Sequence, residues 1–251
     1  MRAMLATLPL TLGAIGLVML VAAGPAYRTG SVPLLAAFGA SALGALLGVA
    51  ATALGTAGAV LAARQGQAVP MAAVAGLLLG AIAWGVPARI ILAARGTPAI
   101  HDISTDLSNS PTYSAVVPLR QGAANTLDVN ADTAAEQRRA YPDIGPVTVP
   151  GTPGEVFVRA LDAARDSGWA IVEANTTAGR IEATDTTRWF EFKDDVVVRL
   201  TASESGSEGS TESNTGSSTR VDVRSVSRVG RGDLGTNAQR IRDYLARLQS
   251  R

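Results

Sequence analysis

Acidic residues are missing from the first third of the chain. Between Arg2 and Arg95 there is no Asp, Glu, Lys or His, and only three further arginines, at 28, 64 and 89. Cysteine is absent throughout, which excludes disulfides, thiolate metal sites, cysteine nucleophiles and a lipidated N-terminal Cys. His101 is the only histidine, so any Ser-His-Asp or histidine-metal site must use it. Lys193 is the only lysine, which reads as the codon bias of a GC-rich bacterial genome. The missing intramembrane acids and histidines also count against coupled transport, which relies on such groups or on broken helices near the midplane. The one candidate charge there is Arg89, close to the end of its window and beside Pro87.

What remains in that third is apolar. Its arginines leave uncharged windows at 3–27, 29–63 and 65–88, and a bilayer core takes roughly 20 apolar helical residues to cross. Three transmembrane helices are expected, at about 5–27, 36–62 and 69–93. Arg2 followed by an apolar stretch ending at Ala22-Ala23-Gly24 also resembles a signal peptide. That stretch is longer than a typical signal core and two more windows follow, so an uncleaved span is expected. Small residues recur at four-residue spacing in Gly44/Gly48 and Gly76/Gly80, which lets helix backbones approach closely in lipid. They serve packing within the chain or, alternatively, an oligomer. Arginine counts on the two sides nearly tie under the positive-inside rule. The short positive N-terminus tips the expectation to a periplasmic C-terminal domain on a bacterial inner membrane.

Residues 96–251 carry 17 basic against 21 acidic side chains. A mildly acidic domain lacks the clustered positive charge that nucleic acid requires, so nucleic acid is not an expected partner. The stretch 96–146 is broken by five prolines and reads as an irregular linker packed on the domain. From 147 to 251 the pattern predicts strand, helix, four or more strands, helix: an α+β domain with an antiparallel sheet and two packed helices, helix-grip-like. Thr152-Pro153-Gly154-Glu155 is a capping box with proline at the first helical position, and Gly168 marks that helix's end. Strands are expected at 169–174, 180–187, 189–192, 196–203 and 221–226, with a turn at Lys193-Asp194-Asp195. A final helix from Asn237 is expected to open on a second capping box, Thr236 with Gln239. Residues 204–218, almost only Ser, Gly, Thr, Glu and Asn, cannot offset their ordering entropy and read as a disordered hairpin insertion.

Four patterns bear on chemistry. Gly230-Arg-Gly232-Asp-Leu-Gly235 matches the dinucleotide fingerprint, but too few residues follow for the second strand and its acid. A tight turn capped by Asp233 or Thr236 is the simpler reading, and anion binding at the helix start is the alternative. His101, Asp102 and Asp106 form a weak metal or catalytic set; turn capping is the plainer role. Arg180, Arg188, Arg199, Arg220, Arg224 and Arg228 project from predicted strands near Glu182, Asp185, Glu191 and Asp222. Together with Arg231 they suggest either an anion groove, lipid headgroups included, or a ladder of cross-strand ion pairs. Asp194 and Asp195 are adjacent and would face opposite ways in a strand, so they do not make a carboxylate pair.

Ile100-His-Asp-Ile-Ser-Thr-Asp106, Tyr141-Pro-Asp-Ile144, the run from Gly179 to Arg199 and the run from Arg220 to Asn237 together resemble the domain of unknown function 1499. The resemblance covers about residues 100–250. It implies a bacterial, often membrane-associated domain and supplies no activity, cofactor or catalytic residue. The expected function is therefore a membrane-anchored envelope protein displaying a non-enzymatic binding domain for another protein, lipid or wall component, without a cofactor. The alternative is an envelope enzyme or anionic-ligand protein using His101 or the arginine-rich sheet face.

Overall fold

Apolar sequence without counter-charges folds into three helices, α1 (Arg2–Arg28), α2 (Leu34–Arg64) and α3 (Met71–Ala93), each long and apolar enough to cross a membrane. In this computed structural model the described residues are 2–203 and 217–251. The expected insertion at 204–218 falls almost wholly outside them. The chain divides into two units, Met1–Arg95 with Arg188–Glu191, and Gly96–Thr187 with Phe192–Arg251.

Glycines set how closely the three helices pack. A Cβ at Gly44 would lie 2.6 Å from the carbonyl oxygen of Gly16, and one at Gly48 2.7 Å from that of Gly80. A Cβ at Gly76 would fall 2.2 Å from the backbone of Pro9. Both small-residue pairs are thus consumed by packing among α1, α2 and α3, with backbones in direct contact. Thr52 adds a polar tie: its hydroxyl donates to Gly48 O at 2.9 Å and accepts from Trp84 Nε1 at 3.3 Å.

The second unit contains β1 (Asp102–Ser104), a short 3-10 turn (Val117–Arg120), α4 (Ala131–Ala140), β2 (Val147–Pro150), α5 (Pro153–Asp166), β3 (Ala170–Asn175), β4 (Arg180–Thr186), β5 (Lys193–Ala202), β6 (Ser218–Ser227) and α6 (Thr236–Gln249). Every strand pair is antiparallel, in the order β1-β6-β5-β4-β3, with β2 beside the first half of β6. One face of the sheet is apolar and receives α5 and α6. Ile181, Val196, Val198, Leu200, Val221 and Val223 meet Phe157, Ala160, Ile241 and Leu248, while Trp169 stacks on Tyr244 at 4.8 Å. The capping box of α5 forms as expected.

Several local expectations are corrected. The stretch 96–146 is not merely irregular: it supplies β1, which pairs with the last strand, and α4, capped by Asn130. Residues 189–192 are not a strand. Thr187 N donates to Phe192 O, Phe192 N donates to Thr187 Oγ1, and Glu191 takes a φ of 53°, which closes a turn. Lys193, Asp194 and Asp195 lie in β5 instead of a turn. The second capping box does not form; Gln239 donates to Asp243, and Asp233 caps α6 from outside.

Candidate functional site

The sheet face away from α5 and α6 carries charge on alternate residues, as strand geometry requires. From β4 come Arg180, Glu182 and Thr184, from β5 Asp195 and Arg199, and from β6 Arg220, Asp222 and Arg224. These groups pair with one another. Arg180 binds Glu173 and Glu182 at 2.9 Å each, and Arg199 and Arg220 both hold Asp106 and Asp222 within 3.2 Å. Asp195 is wholly buried between Arg120 and Arg228, with Thr184 Oγ1 donating to it at 2.8 Å.

The rest of this face is occupied by the chain itself. Residues 106–128 run over it as a strap whose backbone is read by the sheet's side chains. Glu182 accepts from Ser114 N at 2.8 Å and Val116 N at 3.0 Å. Arg224 donates to Pro111 O and Leu127 O, and Arg228 donates to Leu119 O at 2.6 Å. Tyr113 donates its hydroxyl toward Asp195 O and Arg224 O, with the Arg224 cation 5.5 Å from its ring. Burial pushes the Tyr113 phenol well above its ordinary pKa, which keeps it a neutral donor. Burial works against the Arg224 cation, but the bonds to Asp102 outweigh it and raise the pKa.

Of the arginines proposed for an anion groove, Arg224 and Arg228 lie under the strap, Arg180 and Arg199 are ion-paired, and Arg231 is exposed in the β6–α6 turn. None of the five borders either of the two cavities described below. The His101, Asp102 and Asp106 set is likewise dispersed. His101 Nδ1 sits 3.3 Å from Arg231 O, Asp102 is bound to Arg224, and Asp106 caps the turn at Ser108 and Asn109 while pairing with Arg199 and Arg220. Among the described residues no group of three or more His, Cys, Asp or Glu side chains could hold a metal.

Opposite the strap, the start of α6 organises a second buried network. Asp233 accepts from Gly235 N at 2.9 Å and Asn237 N at 2.7 Å. Burial raises its pKa despite those bonds. Asn237 donates to His101 O and Ser227 Oγ, tying α6 to the residue before β1 and to β6. Arg240 reaches Asp185, Asp194, Ser225 and Asn237, so one guanidinium joins α6 to β4, β5 and β6. Beside it opens a cavity of about 450 Å³ walled by Trp169, Leu234, Gln239, Arg240, Asp243 and Arg247. Leu234 stands at its edge with a φ of 56° and 59 % of its surface exposed. A second cavity, about 380 Å³, is lined by His101, Asp102, Asn125, Asp128 and Thr133.

Residues 102–248 match the family model described as Protein of unknown function (DUF1499). The chain belongs to the DUF1499 family. No curated protein and no solved structure matches it. The DUF1499 domain begins at the first residue of β1 and ends inside α6, so the strap and both networks belong to it.

Sequence reasoning reached Asp233, Arg224 and Arg228 but missed four other residues that organise these networks. Tyr113 and Arg120 sit in a proline-broken stretch with no periodicity to mark them. Asn237 and Arg240 lie three apart, a spacing that puts both on one side of a helix, and this was the available signal. Asp194 and Asp195 do point to opposite faces, and each serves a different network: Asp194 binds Arg240, Asp195 binds Arg228.

Proposed function

We propose that this DUF1499 protein is anchored in a bacterial inner membrane by α1, α2 and α3 and displays its α+β domain in the periplasm as a non-enzymatic binding module. In this reading the sheet curls around α5 and α6 in a helix-grip-like manner and presents the cavity at the start of α6 to a partner or wall component. One observation carries it: Leu234, a bulky apolar residue, is held exposed in a left-handed conformation on the cavity's rim. Such strain is of order 1–3 kcal/mol and clusters at functional sites. Around it the wall is mixed, with Trp169 apolar and Arg247 and Asp243 charged, which suits an apolar group flanked by polar ones.

The reading expects deletion of the gene to weaken the envelope, and the test is complementation of that deletion, scored by envelope integrity. Leu234→Gly keeps the backbone allowed while removing the side chain, so it should fold and yet fail to complement. Full complementation by Leu234→Gly would overturn the reading. Reporter fusions after residue 100, one active only outside the cytoplasm and one only inside, test the periplasmic placement.

A second reading, an enzyme using His101, draws on the cavity His101 shares with Asp102 and Asp128. It expects His101→Ala to abolish function without loss of fold. Asp102 already gives both carboxylate oxygens to Arg224, which is why binding is preferred.

A further inference from the structure

On the first unit, α2 carries a surface groove of about 620 Å³ bordered by Ala53, Thr56, Ala57, Val60, Leu61 and Arg64. Steps of three and four residues place these positions on one helix face. The small side chains of Ala53 and Ala57 leave room beside the larger Val60 and Leu61. Thr56 donates its hydroxyl to Thr52 O at 2.8 Å, so that hydroxyl is satisfied within the helix. At the end of the groove stands Arg64, exposed and the last residue of α2. No acid occurs between Arg2 and Arg95 to neutralise it, and it forms none of the ion pairs among the described residues.

The dimensions fit one leaflet. α2 is centred near Val49, and Arg64 lies fifteen residues on, about 22 Å at 1.5 Å per residue. Half a bilayer including its headgroups is about 20–22 Å. With the middle of α2 at the bilayer midplane, the Arg64 guanidinium reaches the phosphate level. Ala53 to Ala57, about 6–12 Å from the centre, run through the hydrocarbon of the same leaflet, and Val60 and Leu61 lie where it gives way to the headgroups, about 15 Å out. Charge and apolar surface are arranged head to tail as in a phospholipid.

We propose that this groove binds an anionic glycerophospholipid, with an acyl chain against Ala53, Ala57 and Val60 and the phosphate on Arg64. The inference rests on the membrane embedding proposed above. The test uses the full chain in nanodiscs of phosphatidylcholine doped with phosphatidylglycerol, released for native mass spectrometry. Wild type should retain phosphatidylglycerol. Arg64→Gln should lower that retention about fivefold, the scale of one basic residue at an anionic surface, with Arg64→Lys restoring most of it. Ala57→Phe, which fills the groove, should lower it as well, and Arg95→Gln should not. Equal retention in Arg64→Gln, equal retention of phosphatidylcholine, or a dimer mass abolished by Ala57→Phe would overturn the lipid site. Alkaline carbonate extraction separates the two claims: a chain released by it fails the embedding itself, whereas one that stays with no lipid preference fails only the groove.

Discussion

Arg224 holds Asp102 with both arms of its guanidinium, Nε to Oδ1 at 2.9 Å and Nη2 to Oδ2 at 2.7 Å, across 122 residues of chain. Arg224 is almost wholly buried, and its remaining bonds go to carbonyls of the strap. Breaking a buried pair leaves an uncompensated charge and costs about 3–5 kcal/mol. Arg224→Ala should therefore destabilise the DUF1499 domain by about that amount. Arg224→Lys should recover only part of it, because an ammonium cannot make the two-armed contact. Urea unfolding of the detergent-solubilised chain measures both, and an Ala variant within about 1 kcal/mol of wild type would contradict the pairing.

The strap depends on Glu182. Its two oxygens each accept a backbone N–H, from Ser114 and Val116, and hydrogen bonds to a charged group contribute about 1.5–3 kcal/mol. Glu182→Gln keeps the shape but loses the charge and one acceptor. Amide exchange at Ser114 and Val116 should then accelerate by about tenfold or more, while exchange within β5 and β6 changes little. Hydrogen exchange read by mass spectrometry checks this, and uniform acceleration across the sheet would indicate general destabilisation instead.

Within the helical unit, position decides what a glycine tolerates. Gly48→Leu would drive a side chain into the backbone of Gly80, whereas Gly85 has no atom within 4 Å of a built Cβ. Overpacking costs about 1–3 kcal/mol, and here the obstacle is backbone, which yields least. Gly48→Leu should lower the thermal midpoint in detergent, measured by size-exclusion after heating, and Gly85→Leu should leave it near wild type.

Asp106 gives the domain an acid limit. Burial opposes its charge, but bonds from Asn109 N and from Ser108, with the Arg220 guanidinium beside it, hold its pKa below the ordinary 3.8. A carboxyl depressed in the folded state contributes stability that is complete above its unfolded pKa and is lost as pH falls through the folded value. Wild type should therefore lose stability as pH drops below 3.8. Asp106→Asn should start less stable at neutral pH and show a shallower fall in that window. Urea midpoints collected across the acid range decide it.

The three apolar helices were legible because uncharged runs of that length have one stable solution in lipid. The face assignments along β6 were legible too: a period of two put Val221 and Val223 opposite Asp222 and Arg224, and the sheet keeps them so. The strap was not legible. Its order comes from side chains 66 to 113 residues downstream binding its backbone, and such bonds leave no periodic mark on the strap's own sequence. The aromatic-rich run Trp189–Phe192 signalled a strand, yet the Thr187–Phe192 closure made it a turn. As for the candidate site, the strand pattern named the arginines with Glu182 and Asp222 among their acids and favoured a ladder of ion pairs. But Asp106, Asp195 and the backbone of the strap, which complete it, carry no mark that ties them to those strands.

The pairing of β1 with β6 joins Asp102 to Val226, near opposite ends of the DUF1499 domain. Chains are made from the N-terminus, so β1 and the strap emerge long before the strand and side chains that order them. The domain's contacts are non-local, a topology that folds in milliseconds to seconds rather than microseconds. Until β6 is made, β1 has no partner and the strap has none of its ties to β6, such as Arg224 with Pro111 and Leu127. A ribosome stalled before β6 would thus carry the three apolar helices trailing an unfolded, protease-sensitive tail, and only synthesis through β6 would close it.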